Sequence, residues 1–107
     1  MSYKYRMPEF AEINPQTNEV LRVIGAKSKL WCEYELDGTW VNAHCDTPGK
    51  NYPGVGWIYH PSGDNFSTSQ PYPSWTLNDA YIWQPPTPHP DEKKTYMWNE
   101  ETQTWEA

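Results

Sequence analysis

Three segments of the C-terminal half follow one template: an aromatic residue, any residue, an apolar or aromatic residue, a polar turn, then a returning aromatic. They are GWIYHPSGDNF (Trp57, Tyr59, Phe66), SWTLNDAYIW (Trp75, Leu77, Trp83) and TYMWNEETQTW (Tyr96, Trp98, Trp105). Residues i and i+2 of a strand share a face, so each segment predicts a hairpin with a small cluster of rings on one side. The turns are expected at Pro61-Ser62-Gly63-Asp64-Asn65, Asn78-Asp79 and Asn99-Glu100-Glu101. Isolated two-stranded hairpins are marginal in water, so such units must pair with one another or lean on a neighbour.

Composition decides whether this chain folds. Leu, Ile and Val together fill only 12 of 107 positions, a level that by itself suggests disorder. Seven Trp and eight Tyr reverse that expectation, because each ring buries on the order of 150–250 Å². A length of 107 residues suits one ordinary domain. The expected division is an N-terminal β-rich part over residues 1–55, followed by residues 56–107 with aromatic units at 56–68, 74–84 and 95–106.

The N-terminal part has its own signals. Residues 10–26 (FAEINPQTNEVLRVIGA) place two apolar runs around Asn14-Pro15-Gln16-Thr17-Asn18, which predicts a hairpin. Alternation puts Leu21 and Val23 on one face of its second strand, and Val20, Arg22 and Ile24 on the other. Residues 27–36 (KSKLWCEYEL) predict a short helix with Ser28 as N-cap, Gly38 as terminator, and a stripe of Leu30, Tyr34 and Trp31. Residues 39–44 (TWVNAH) alternate like a strand. The fold class expected is therefore mainly β with one short helix.

The proline-rich stretches Gln70-Pro71-Tyr72-Pro73 and Gln84-Pro85-Pro86-Thr87-Pro88-His89-Pro90 favour polyproline II geometry. Such segments are also ligands for aromatic-lined grooves. Their regular placement between the units favours spacers here.

Chemistry-bearing clusters are sparse. His44-Cys45-Asp46 has the residue types of a nucleophile, a base and an orienting group, but neighbours on an extended chain point to opposite faces. Cys32, His44, Cys45 and His60 lack the paired spacings of a zinc site. The pairs Asp91-Glu92 and Glu100-Glu101 lie in turn or linker sequence and read as solvated charge. No catalytic residue, metal or cofactor is therefore expected, and the chain is expected not to be an enzyme.

The net charge of −6 disfavours a nucleic-acid partner. No stretch reaches the roughly 18 apolar residues of a membrane helix, and residues 1–7 lack the apolar run of a signal peptide. Two cysteines suggest free thiols rather than a disulfide framework. What remains is the aromatic surface. Trp75, Trp83, Trp98 and Trp105, with Tyr72 and Tyr81, are the candidate binding residues, since exposed rings supply flat apolar area with little entropy loss. The competing role for the same rings is to build the fold.

KNYPGVGWIYHPSGDNF, QPYPSWTLNDAYIWQPPTPHPDE and YMWNEETQTW, together with FAEINPQTNEVLRVI and GTWVNAH, resemble a recurring pattern in small proteins of marine tailed phages, especially phages of cyanobacteria. The resemblance covers nearly the whole chain. It implies a virion-associated structural protein of tail, fibre or capsid, with other phage structural proteins or a second copy as partners. The location implied is the virion, or the host cytoplasm during assembly. A surface-glycan or peptide-binding module for host recognition and a non-packaged fibre assembly chaperone are the alternatives. The chain departs from the pattern at AHCDTPG, where a Thr-Ser-Tyr-Asn-like stretch is expected, so Cys45 is particular to this copy and a functional Cys32–Cys45 bridge is disfavoured.

Overall fold

The computed structural model describes residues 7–107. It is mainly β, with a single helix among the described residues and several small antiparallel hairpins. Strands β1 (Glu9–Ile13), β2 (Val20–Gly25) and β3 (Thr39–Asn42) form a sheet in the order β2-β1-β3, and helix α1 (Lys29–Leu36) connects β2 to β3. Three further hairpins complete the fold of the described residues: β4 (Ile58–His60) with β5 (Asn65–Ser67), β6 (Thr76–Leu77) with β7 (Trp83–Gln84), and β8 (Met97–Asn99) with β9 (Thr104–Glu106). No helix among the described residues is long and apolar enough to cross a membrane.

The chain divides into two compact units, Met1–Ser69 and Gln70–Ala107. The division expected after residue 55 falls instead after residue 69, because the first aromatic hairpin belongs to the sheet's core. Phe66 is fully buried in a cluster with Ala11, Ile13 and Val20, and Trp57, Tyr59, Val23 and Val41 pack around it. Backbone bonds fasten this hairpin to β2: Val20 donates to the Trp57 carbonyl at 2.7 Å, and Gly56 donates to the Val20 carbonyl at 2.9 Å. An isolated hairpin is marginal, and here the sheet supplies what it lacks.

The opposite face of the sheet holds the helix. Phe10, Ala26, Cys32 and Trp40 form the second buried cluster, with Ile24, Trp31 and Leu36 against it. Ser28 caps the helix by accepting the Trp31 N–H at 3.0 Å. The buried position of the helix is Cys32, not the expected stripe: Leu30 is 74% and Tyr34 83% exposed. A helix of eight residues has room for one packed side, and the small Cys32 brings it close to Trp40 where the larger Leu30 and Tyr34 would hold it off.

A second departure lies in β2. Glu12 pairs with Arg22 but Ile13 with Val20, so Leu21 is bulged out and Val20 turns to the face that carries Val23. Simple alternation places Val20 with Ile24; the extra residue reverses it. Beside the bulge, Arg22 bonds Glu12 at 2.8 Å and lies 5.1 Å from the centre of the Trp40 ring. Gly38 closes the helix end at φ +87°, where a Cβ would come within 2.2 Å of the Glu12 carboxylate.

The hairpins share a turn device. Asn14 Oδ1 accepts from the backbone N–H groups of Gln16 and Thr17, Asn78 Oδ1 from Ala80 and Ile82, and Asn99 Oδ1 from Glu101 and Thr102. A left-handed residue follows in each: Asn18 (φ 63°), Tyr81 (φ 60°) and Gln103 (φ 54°). The repeat therefore includes the N-terminal hairpin, with the β4–β5 turn built differently, using Asp64 (φ 48°) and no leading Asn.

Candidate functional site

The C-terminal unit, residues 70–107, contains no buried residue, yet its rings gather. Trp98 and Trp105 are directly opposed across β8 and β9, so both project from one face, with ring centres 5.1 Å apart. Trp75 meets Trp98 edge-on at 5.6 Å and Trp105 at 6.1 Å, and Tyr72 lies 5.7 Å from Trp75 and 6.4 Å from Trp98. Tilted and edge-to-face pairs of this kind contribute about 0.5–1.5 kcal/mol each beyond their buried area.

Of the six candidate residues, four are thus brought together: Tyr72, Trp75, Trp98 and Trp105. Trp83 pairs with Leu77 across β6–β7 and is half-buried, and Tyr81 takes the left-handed position of that hairpin's turn. Trp75 has an indole N–H shielded from solvent with no hydrogen-bond partner, so ring contact rather than a polar tether holds its side chain.

The polar frame around the rings was not legible from composition. Glu100 accepts from the Ser74 N–H at 3.0 Å, the Ser74 hydroxyl at 2.7 Å and the Trp98 indole N–H at 2.8 Å. Those bonds favour the charged carboxylate and hold its pKa below the ordinary value. Glu100 is therefore a fastening point and not merely solvated charge. Its spacing from Trp98 is the signal that sequence offers, since an indole N–H and a carboxylate two residues apart can meet at the mouth of a turn.

Both proline-rich stretches carry contacts to β8–β9. Tyr72 and Ser74 reach Trp98 and Glu100, as above. Thr87 donates its hydroxyl to the Gln103 carbonyl at 2.8 Å and accepts the Trp105 indole N–H on its own carbonyl at 2.9 Å. His89 stacks edge-on to Trp105 at 4.7 Å and to Tyr96 at 5.4 Å. The expected spacers are thus docked segments, because a residue between prolines has a carbonyl without a ladder partner and an indole N–H can claim it.

The remaining chemistry-bearing residues serve the first unit. His44, 10% exposed at its side chain, bonds Asp64 at 2.9 Å instead of Cys45 or Asp46, and Asp64 also accepts from Tyr59 at 2.8 Å. Burial and that carboxylate push the Tyr59 hydroxyl up to about 12. Lys50 donates to the carbonyls of Gly63 and Asp64 at 2.9 and 3.0 Å. These bonds tie the β4–β5 turn to the segment after β3. His60 bonds Ser67 at 2.8 Å, and burial lowers its pKa. Cys32 and Cys45 are free thiols, Cys32 being buried with its pKa raised by desolvation. No group of three or more His, Cys, Asp or Glu side chains placed to hold a metal occurs among the described residues.

Comparison with known protein families, with curated proteins and with solved structures gives no match for this chain.

Proposed function

We propose that the chain is a non-enzymatic contact protein, a virion-associated component of a tailed phage, whose C-terminal unit presents aromatic rings to another structural protein. One observation carries this reading: Tyr72, Trp75, Trp98 and Trp105 pack against one another in tilted and edge-on ring pairs, with Trp98 and Trp105 also tethered through their indole N–H groups, yet none of them is buried within its unit. Pre-positioned aromatic area is what contact hot spots are made of, since little side-chain freedom is left to lose on association. The phage assignment comes from the sequence resemblance.

The test is incorporation. Purified particles from cells supplying either the intact chain or a Trp98→Ala variant are quantified by mass spectrometry. The chain is expected in the particle, with Trp98→Ala incorporated roughly thirtyfold less, the equivalent of losing a hot spot of about 2 kcal/mol. Absence of the intact chain from particles contradicts the virion role, and equal incorporation of the variant contradicts the role of the rings.

A further inference from the structure

The two contacts of Thr87 and the ring contacts of His89 have the form of ligand recognition. Thr87 stands between Pro86 and Pro88, so its backbone is biased to extended geometries, and it lies outside any strand or helix, which leaves its carbonyl to a side-chain donor. The Trp105 indole N–H takes that carbonyl, the Gln103 carbonyl takes the Thr87 hydroxyl, and His89 covers the edge of the Trp105 ring. An aromatic side chain that both stacks and donates to a carbonyl of a proline-flanked residue is how proline-rich ligands are read by aromatic-lined grooves. Here reader and ligand lie in one chain, joined by residues 91–95, all exposed and outside any strand or helix.

We propose that the β8–β9 hairpin is a reader of proline-rich segments, filled by residues 85–90 of its own chain and able to exchange that segment for the same one of a second copy. The proposal deepens the contact-protein reading by naming what the hairpin recognises. A second copy is the occupant because every copy presents the complementary segment, and exchange between copies preserves each hydrogen bond and ring contact. The short connection gives the internal segment a high effective concentration, so the self-docked form dominates in dilute solution. At the local concentrations of an assembled particle, the exchanged form links neighbouring copies through contacts the monomer already contains.

Two full-length variants test this by complementation. In the first, Trp105→Ala removes the reader and leaves the proline segment. In the second, isotope-labelled, residues 85–90 are replaced by a Gly-Ser linker of equal length, leaving the reader without its ligand. Unlabelled first variant is titrated into the second while the Trp105 indole N–H resonance is followed by NMR. The expected result is a saturable shift towards the position found in the intact chain, absent when the titrant also carries the Gly-Ser linker. A reader that is unfolded without its ligand is expected to become ordered in the same titration. No shift, or an equal shift with the control titrant, overturns the proposal. A shift produced by a synthetic QPPTPHP peptide but not by the second chain also overturns it, and makes the hairpin a reader of another protein's segment. Particle incorporation of the Trp98→Ala variant is a separate readout, so failure of exchange and failure of the contact role are distinguishable.

Discussion

Trp40 and Trp98 are the same residue type put to different uses. In the first unit the Trp40 ring is enclosed between sheet and helix and is 1% exposed; in the second, Trp98 is half-exposed among other rings. The difference follows from where the aliphatic residues are. Ten of the twelve Leu, Ile and Val residues lie before Gln70, the exceptions being Leu77 and Ile82. With branched side chains to fill the spaces between them, rings can be enclosed and the sheet can be covered on both faces. Without them, rings touch at their edges and leave faces open. A high aromatic content therefore builds a closed core only where small and branched residues accompany it.

The contrast can be broken most forcefully at Trp40. Trp40→Ala is expected to destabilise the first unit by about 3–5 kcal/mol, as for other buried Trp truncations. Denaturant unfolding followed by the far-UV signal checks the loss, while the Trp98 and Trp105 indole resonances should be largely retained. Simultaneous loss of both units at Trp40→Ala would show that the second has no order of its own.

The turn device gives a smaller and more even effect. Asn99→Ala removes the acceptor for two backbone N–H groups and is expected to cost the β8–β9 hairpin about 1–2 kcal/mol, comparable to losing a helix cap. Asn14→Ala removes the equivalent acceptor in the first unit. There the buried Ile13 and Val20 flank the turn, so thermal unfolding should move by only a few degrees. In the second unit the same change should abolish the Trp98–Trp105 exciton signal in circular dichroism.

Acid distinguishes the units last and most gently. His60 has a lowered pKa, so its unfolded form takes up a proton first; the stability it contributes is complete above its ordinary value near 6.5 and is lost as pH falls through the lowered folded value. Glu100 is likewise depressed, and its contribution is complete above about 4.5 and lost as pH falls through its folded value. The near-UV signal of the ring cluster should therefore persist while His60 titrates and weaken only in more acid solution. Glu100→Gln, which retains the shape and loses the charge, is expected to remove that acid step.

The sequence made the hairpins legible because strand alternation and turn residues are local. FAEINPQTNEVLRVIGA and TYMWNEETQTW each announce a turn between two apolar runs, and Ser28 announces its cap. What stayed hidden is what depends on the third dimension. The bulge at Leu21 is a one-residue insertion without a Gly or Pro to mark it, and it transfers Val20 to the other face. Cys32 is chosen over Leu30 and Tyr34 by the close approach of Trp40, which periodicity cannot see. His44 finds Asp64 twenty residues away instead of its sequence neighbours. At the ring cluster the aromatics were visible, but the Ser74–Glu100 and Thr87–Trp105 bonds were not, since they join residues 26 and 18 apart and the second uses a backbone carbonyl. The Asn of these turns is legible as a turn former, and its shared acceptor role has a signal as well: apolar-Asn followed by three to five residues and another apolar residue occurs at Ile13, Leu77 and Trp98.

Native-state hydrogen exchange of the intact chain measures the two units side by side. The amides of β1 and β3 should exchange only through global opening of the first unit, whereas those of β6–β9 should exchange through local openings of much lower free energy, as befits a ring cluster without an enclosed core. Equal protection in both units, reached at the same denaturant dependence, would contradict the division between a closed core and an open cluster of rings.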